Sequence, residues 1–165
     1  MLYINNKVNY QGNCRMDSIL LTPHVECVIK SLKGNDQVTQ RLIQMGVLPG
    51  SRLHIVRVGP LGKTVEVIID RGESVALRTK ELKALHCKVV ALPLLAVKSS
   101  KKRYRIRNFL GGRGFIQKMQ NRGLFISDII RLKESDGFEL ISKGNQTVRI
   151  GRGEAEKIIV EPMDE

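Results

Sequence analysis

The stretch RLIQMGVLPGSRLHIVRVGPLG, Arg41 to Gly62, decides how the chain folds. It sets Gly and Pro among apolar residues and contains no evident catalytic side chain. Gly46 stands where a helix is closed by a left-handed residue, a conformation that Gly adopts without steric penalty. Pro49-Gly50 has the chemistry of a turn, Pro fixing φ and Gly allowing φ > 0. Arg52–Val58 then alternates as a strand, and Pro60-Leu61-Gly62 forms a loop before the next one.

The pattern extends in both directions. Glu26–Leu32 is expected as a strand. Asp36 to Met45 is expected as a helix, capped by Asn35 or Asp36, whose short polar side chain accepts from a free N–H of the first turn. Val38, Leu42 and Met45 fall at i, i+4 and i+7 and form one buried stripe. Thr64–Asp70 alternates with Val65, Val67 and Ile69 on one face, Asp70–Ser74 is a turn, and Val75–Arg78 is a short strand. Thr79 is expected to cap a single helical turn holding Leu82 and Leu85, and Lys88–Leu92 to be the closing strand.

Composition narrows the class. The 165 residues suit one medium domain or two small ones, and 42% hydrophobic residues supply a core. Aromatics are only 4%, with no Trp, which argues against the base-stacking platforms of single-strand nucleic-acid binders. The formal charge of +12 favours acidic or phosphate-rich partners. That charge is spread along the chain, and only Lys101–Arg107, KKRYRIR, is dense; it reads as a solvated linker or edge strand. Cys14, Cys27 and Cys87 are odd in number, widely spaced and without CxxC, so neither a disulfide framework nor a structural zinc site is expected. No apolar run reaches the ~18 residues of a membrane span. The N-terminus lacks a signal-peptide core, and either Met1 or Met16 serves as a start. These features point to the cytoplasm.

An internal repeat organises the rest. A 77-residue offset lays Ile29–Leu53 on Ile106–Ile130: Ile29 meets Ile106, Gly34 meets Gly111, Leu42 meets Met119, and Gly46 meets Gly123. In the second copy Phe115 and Met119 line a helix ending at Gly123. Strands follow near Ile129–Lys133, Phe138–Ser142, Thr147–Ile150 and Lys157–Val160, with a turn at Asp136-Gly137. The expected organisation is an N-terminal extension (1–22), a first small barrel (23–92), a linker (93–102) and a divergent second barrel (103–165). Closure into barrels would remove the exposed edges of such small sheets.

The run Met45, Gly46, Leu48, Pro49, Gly50, then Pro60, Leu61, Gly62, then Ala76, Leu77, Arg78 and Glu81 resembles the FeoA family. The second copy keeps Gly123 and Glu154-Ala155. It has Arg122 for Met, Ile126-Ser127 for Pro-Gly, and no Pro-Leu-Gly. The resemblance implies mainly β structure with short helices, as two tandem SH3-like small barrels. It implies a non-enzymatic cytosolic adaptor or regulator of ferrous iron transport, binding the cytosolic part of a FeoB-like transporter. It also implies a kinship with the C-terminal module of iron-dependent repressors. A nucleic-acid-binding or metal-responsive regulatory protein is therefore the alternative, although no helix-turn-helix segment is present.

Candidate sites follow from these readings. Pro60-Leu61-Gly62 presents a large apolar side chain at a loop tip, which suits a partner contact as well as a rigid strand connection. Leu48-Pro49-Gly50 reads as a turn with a partner-binding role in reserve, and Arg78 as an outward cation beside inward Leu77. No catalytic residue and no cofactor are expected. His24, His54 and His86 belong to no HxxxH or HExxH array. His86-Cys87, the one adjacent pair of soft ligands, diverges in direction and needs further ligands to hold a metal. FLGGRGF, Phe109–Phe115, lacks the GxxxxGK[ST] form of a phosphate loop and reads as a strand-to-helix turn.

Overall fold

A computed structural model describes residues 19–98, 101–133 and 138–164. Cys14, the Met1 and Met16 starts, most of the N-terminal extension and the Asp136-Gly137 turn lie outside the described residues. The chain divides into two compact units after Val89.

The first unit contains strand β1 (Glu26–Leu32), helix α1 (Asp36–Gln44), strands β2 (Arg52–Val58), β3 (Thr64–Ile69) and β4 (Ser74–Arg78), the four-residue helix α2 (Thr79–Leu82) and the start of β5 (Leu85–Pro93). Val, Ile and Leu alternate with polar residues along the strands, so one face of each is buried. Cys27, Ile29, Leu42, Val47, Leu53, Ile55, Val65, Val67 and Leu77 are completely buried and form its core. Each such Val, Leu or Ile side chain contributes about 1.5–3 kcal/mol by leaving water. Helix α1 starts at Asn35, whose side chain accepts the Val38 N–H at 2.9 Å. Of the expected helical stripe, Leu42 is fully buried while Val38 and Met45 are half-buried.

The second unit contains β6 (Arg103–Phe109), α3 (Arg113–Asn121), β7 (Ile129–Lys133), β8 (Phe138–Ile141), β9 (Thr147–Ile150), α4 (Arg152–Ala155) and β10 (Ile158–Pro162). Leu92 and Pro93, at the end of β5, pair with Val160 and Ile159 of β10. Leu94 begins a 3-10 turn and is fully buried. Gly111 admits the Phe115 ring: a Cβ there would stand 2.5 Å from the Phe115 side chain. Phe115 in turn meets Phe109 edge-to-face, with centroids 6.1 Å apart.

The repeat is structural. The 77-residue offset carries β1, α1 and the start of β2 onto β6, α3 and β7, residue for residue. Past the β7–β8 connection the offset becomes 73, carrying α2 (Thr79–Leu82) onto α4 (Arg152–Ala155). The second copy is therefore four residues shorter in its middle hairpin.

Both units are mainly β with short helices, in an SH3-like arrangement, but their sheets are open. The hydrogen-bonded order is β4-β3-β2-β1-β5 in the first unit, and the end of β5, then β10-β6-β7-β8-β9, in the second. Closed barrels were the expectation. Instead α2 carries the chain from β4 to β5, and the Glu81 carboxylate satisfies the Arg78 N–H at that seam without a strand partner. Two boundaries also differ. The residue before α2 is Arg78, and the Thr79 hydroxyl donates to the Gly62 and Lys63 carbonyls instead of capping the helix. Leu85 opens β5, three residues before Lys88, because its side chain is buried in strand geometry.

Candidate functional site

The Pro60-Leu61-Gly62 loop joins β2 to β3. Its geometry is set by backbone bonds: the Gly59 N–H donates to the Thr64 carbonyl and the Gly62 N–H to the Gly59 carbonyl, both at 2.9 Å. Gly62 has φ of +63°, a left-handed value that Gly tolerates. Thr79 fastens the loop to the end of β4, its hydroxyl lying 3.0 Å from the Gly62 carbonyl and its N–H bonding the Lys63 carbonyl. Thr64 pairs with Arg78 in the β3–β4 ladder. Arg78 is exposed and stands at the same end of the sheet as the loop. The fold thus brings Pro60, Leu61, Gly62 and Arg78 together.

Leu61 is 80% exposed, the most exposed large apolar side chain among the described residues. Beside the loop lies an open groove of about 690 Å³, lined by Val58, Pro60, Thr64, Val75, Ala76 and the Arg57–Glu66 ion pair. Arg57 Nη2 is 2.8 Å from Glu66 Oε2, and Nε donates to the same oxygen. A bulge at Val56, where the β2–β3 register shifts, turns the Arg57 side chain onto this face. A rigid apolar tip next to a shallow groove with one charged wall suits a protein surface better than a small substrate.

Leu48, Pro49 and Gly50 lie elsewhere. They connect α1 to β2, and the seven residues of β2 separate them from Pro60 by about 20 Å. Leu48 is half-exposed. Gly50 has φ of +90° and donates its N–H to the Ile29 carbonyl at 2.7 Å. The candidate residues therefore form two clusters at opposite ends of one strand.

The second copy preserves the Leu48 turn without its sequence. Phe125 and Ile126 replace Leu48 and Pro49 and are about half-exposed. Ser127 replaces Gly50 yet keeps its conformation (φ +75°) and its bond, donating its N–H to the Ile106 carbonyl at 2.7 Å. Asp128 replaces Ser51, and each accepts the N–H of the residue three earlier, Phe125 and Leu48.

One shared device escaped the reading of the sequence. Glu81 and Glu154 sit at the third position of α2 and α4, and each accepts the N–H of the residue before its helix, Arg78 at 2.7 Å and Gly151 at 2.9 Å. Each also meets a cation from the preceding long helix, Arg41 at 3.1 Å and Lys118 at 2.6 Å. Arg122, standing where the first copy has Met45, adds a second cation to Glu154 at 2.9 Å. Lys118, the Gly151 N–H and Arg122 together hold the Glu154 carboxyl down to about 2. A Glu three residues into a short helix, repeated in both copies, was the available signal.

His54 faces Glu26 across the β1–β2 ladder and lies 6.3 Å from the His24 ring. Cys87 is buried while His86 is only half-buried, so the two side chains leave β5 on different faces. Among the described residues no three His, Cys, Asp or Glu side chains gather in a way that could hold a metal ion. No helix among them is long and apolar enough to cross a membrane.

The chain is similar to several known proteins. The FeoA domain matches residues 20–89. The solution structure of iron(II) transport protein A from Clostridium thermocellum is 31% identical, with a TM-score of 0.53, over 88% of this chain and 86% of that one. A FeoA-like protein from Clostridium acetobutylicum is 17% identical over 53% of this chain and 92% of its own, with a TM-score of 0.43. The crystal structure of an iron uptake regulatory protein (FeoA) is 27% identical over 44% of this chain and 97% of its own, with a TM-score of 0.40. The domain match over the first unit and the 31% identity across most of both chains lead to one conclusion: this chain belongs to the FeoA family.

Proposed function

We propose that the chain is a non-enzymatic cytosolic adaptor of ferrous iron transport. It binds the cytosolic part of a FeoB-like transporter through the Pro60-Leu61-Gly62 end of its first unit. The observation that carries this reading is the 80% exposure of Leu61 on a loop fastened at both sides. A large apolar side chain held rigidly in water has the form of an interface anchor, since little conformational entropy remains to be lost on docking. Arg78 beside it supplies a charge for steering toward an acidic surface. The similarity to an iron(II) transport protein supplies the partner class.

The test is titration of the chain with the purified cytosolic GTPase domain of a ferrous transporter from the same cells, read by calorimetry. Saturable binding that weakens in Leu61→Ser supports the adaptor. Absence of binding in every nucleotide state of the GTPase rejects it.

A further inference from the structure

The basic cluster that begins at Lys101 takes on a definite geometry in the second unit. Residues directly opposed across a β-ladder share one face of the sheet. Arg103 of β6 is opposed by Arg131 of β7, and Arg105, two residues along the strand, is opposed by Ile129. On the same face Lys133, Glu139 and Arg149 are aligned across β7, β8 and β9. This exposed face carries Arg103, Arg105, Arg131, Lys133 and Arg149. Among the described residues two acids oppose them: Glu139, paired with Lys133 at 3.3 Å, and Glu161, paired with Arg105 at 3.2 Å. Neither Arg103 nor Arg131 has an ion pair among the described residues.

The first unit shows that the fold does not require this. At the same places it has Glu26 opposite His54, and Glu26 binds Arg52 at 2.7 Å, so the face neutralises itself. Like charges directly opposed across a ladder repel, and an anion lying over them relieves the repulsion. The second unit therefore replaces a self-paired row with one that calls for an external negative charge.

An apolar rim adjoins the arginines. Phe125, Ile126 and Ile129 are 48%, 53% and 39% exposed. The Ser127 N–H bonds the Ile106 carbonyl, fixing the Phe125-Ile126 tip beside Arg105. A plane of arginines edged by exposed Phe and Ile is the composition of a surface that lies in the headgroup layer of a membrane. Nucleic acid would use the arginines but leave Ile126 and Ile129 in water.

We propose that this face of the second unit docks on the surface of an anionic lipid bilayer. Arg103, Arg105 and Arg131 lie over lipid phosphates, and Phe125 and Ile126 enter the boundary between headgroups and acyl chains. The test is co-sedimentation of the full chain with phosphatidylglycerol-rich vesicles and with phosphatidylcholine vesicles. Binding is expected to the anionic vesicles alone, and to weaken with added salt. The double variant Arg103→Gln/Arg131→Gln is expected to lose roughly 25-fold in partitioning, about fivefold per arginine. Phe125→Ser/Ile126→Ser should weaken it as well. Arg103→Lys/Arg131→Lys keeps the charge and should bind like the parent, which separates charge from folding. Equal binding to both vesicle types, no binding, full binding by the Gln variant, or capture of an oligonucleotide in place of vesicles would each overturn the proposal. No transporter is present in this experiment, so its failure is distinct from failure of the adaptor reading.

Discussion

Arg41 Nε lies 3.1 Å from Glu81 Oε1, and through that contact helix α1 is tied to the short helix that ends the β4 strand. Glu81 is only 1% exposed, and its other oxygen accepts the Arg78 N–H. The same tie recurs at Lys118 and Glu154, with Arg122 added. It is a polar arrangement that both copies retain despite low identity between them.

Removing the cation should have unequal effects in the two units. Arg41→Ala leaves a buried carboxylate without a cationic partner and is expected to cost about 2–3 kcal/mol. Lys118→Ala leaves Arg122 in place at 2.9 Å and should cost less than about 1 kcal/mol. Urea unfolding of the two variants measures the difference, and equal losses would contradict the assigned roles.

Glu154 makes the second unit acid-sensitive. Its carboxyl is lowered from 4.5 to about 2 in the folded chain, so the folded state favours the ionised form. That stability is fully present above pH 4.5 and is lost as pH falls toward 2. Allowing for the solvent exposure of Lys118, the contribution is about 1–2 kcal/mol. Glu154→Gln should be less stable near neutrality, and the gap from the parent should close in acid. Urea midpoints across this range provide the check.

The turns at Gly50 and Ser127 should respond in opposite directions. Gly50→Ala puts a Cβ on a residue at φ +90° and is expected to cost about 1–2 kcal/mol, although no atom stands near the added group. Ser127→Gly relieves the corresponding strain and should gain up to about 1 kcal/mol, or roughly 4–8 °C in the melting of a domain of this size. Calorimetric scans distinguish the two outcomes.

Thr79 anchors the Pro60-Leu61-Gly62 loop. Thr79→Val keeps the shape and removes the hydroxyl that bonds the Gly62 and Lys63 carbonyls. The expected loss is about 1 kcal/mol, with faster amide exchange at Gly62. Unchanged exchange there would mean that the backbone bonds alone hold the loop.

Much of the fold was legible in the sequence because its marks are local. Alternation of Val and Ile gave β2 and β3, Asn35 gave the start of α1, and Gly46 gave its end. What the sequence hid depends on distant partners. Thr79 resembles a helix cap by type, but the Gly62 and Lys63 carbonyls reach it first. Ser127 does not look like a left-handed turn residue; its conformation follows from the Ile106 carbonyl and from Asp128. Arg122 reads as a lost motif position until Glu154 is placed beside it. Pro60, Leu61, Gly62 and Arg78 are named by the motif, and the strand expected at Arg52–Val58 already separates the loop from Leu48, whereas the place of Arg78 beside the loop follows only from its pairing with Thr64.

Leu61 is the side chain proposed to anchor a partner. Its side chain packs little against the rest of the protein, so Leu61→Ser should change stability by less than about 0.5 kcal/mol. Calorimetric titration of parent and variant with the transporter's cytosolic GTPase domain is the most direct measurement. The expected result is an affinity loss of about 30-fold, typical of a central interface anchor, with unchanged melting. Equal affinity of parent and variant would contradict it.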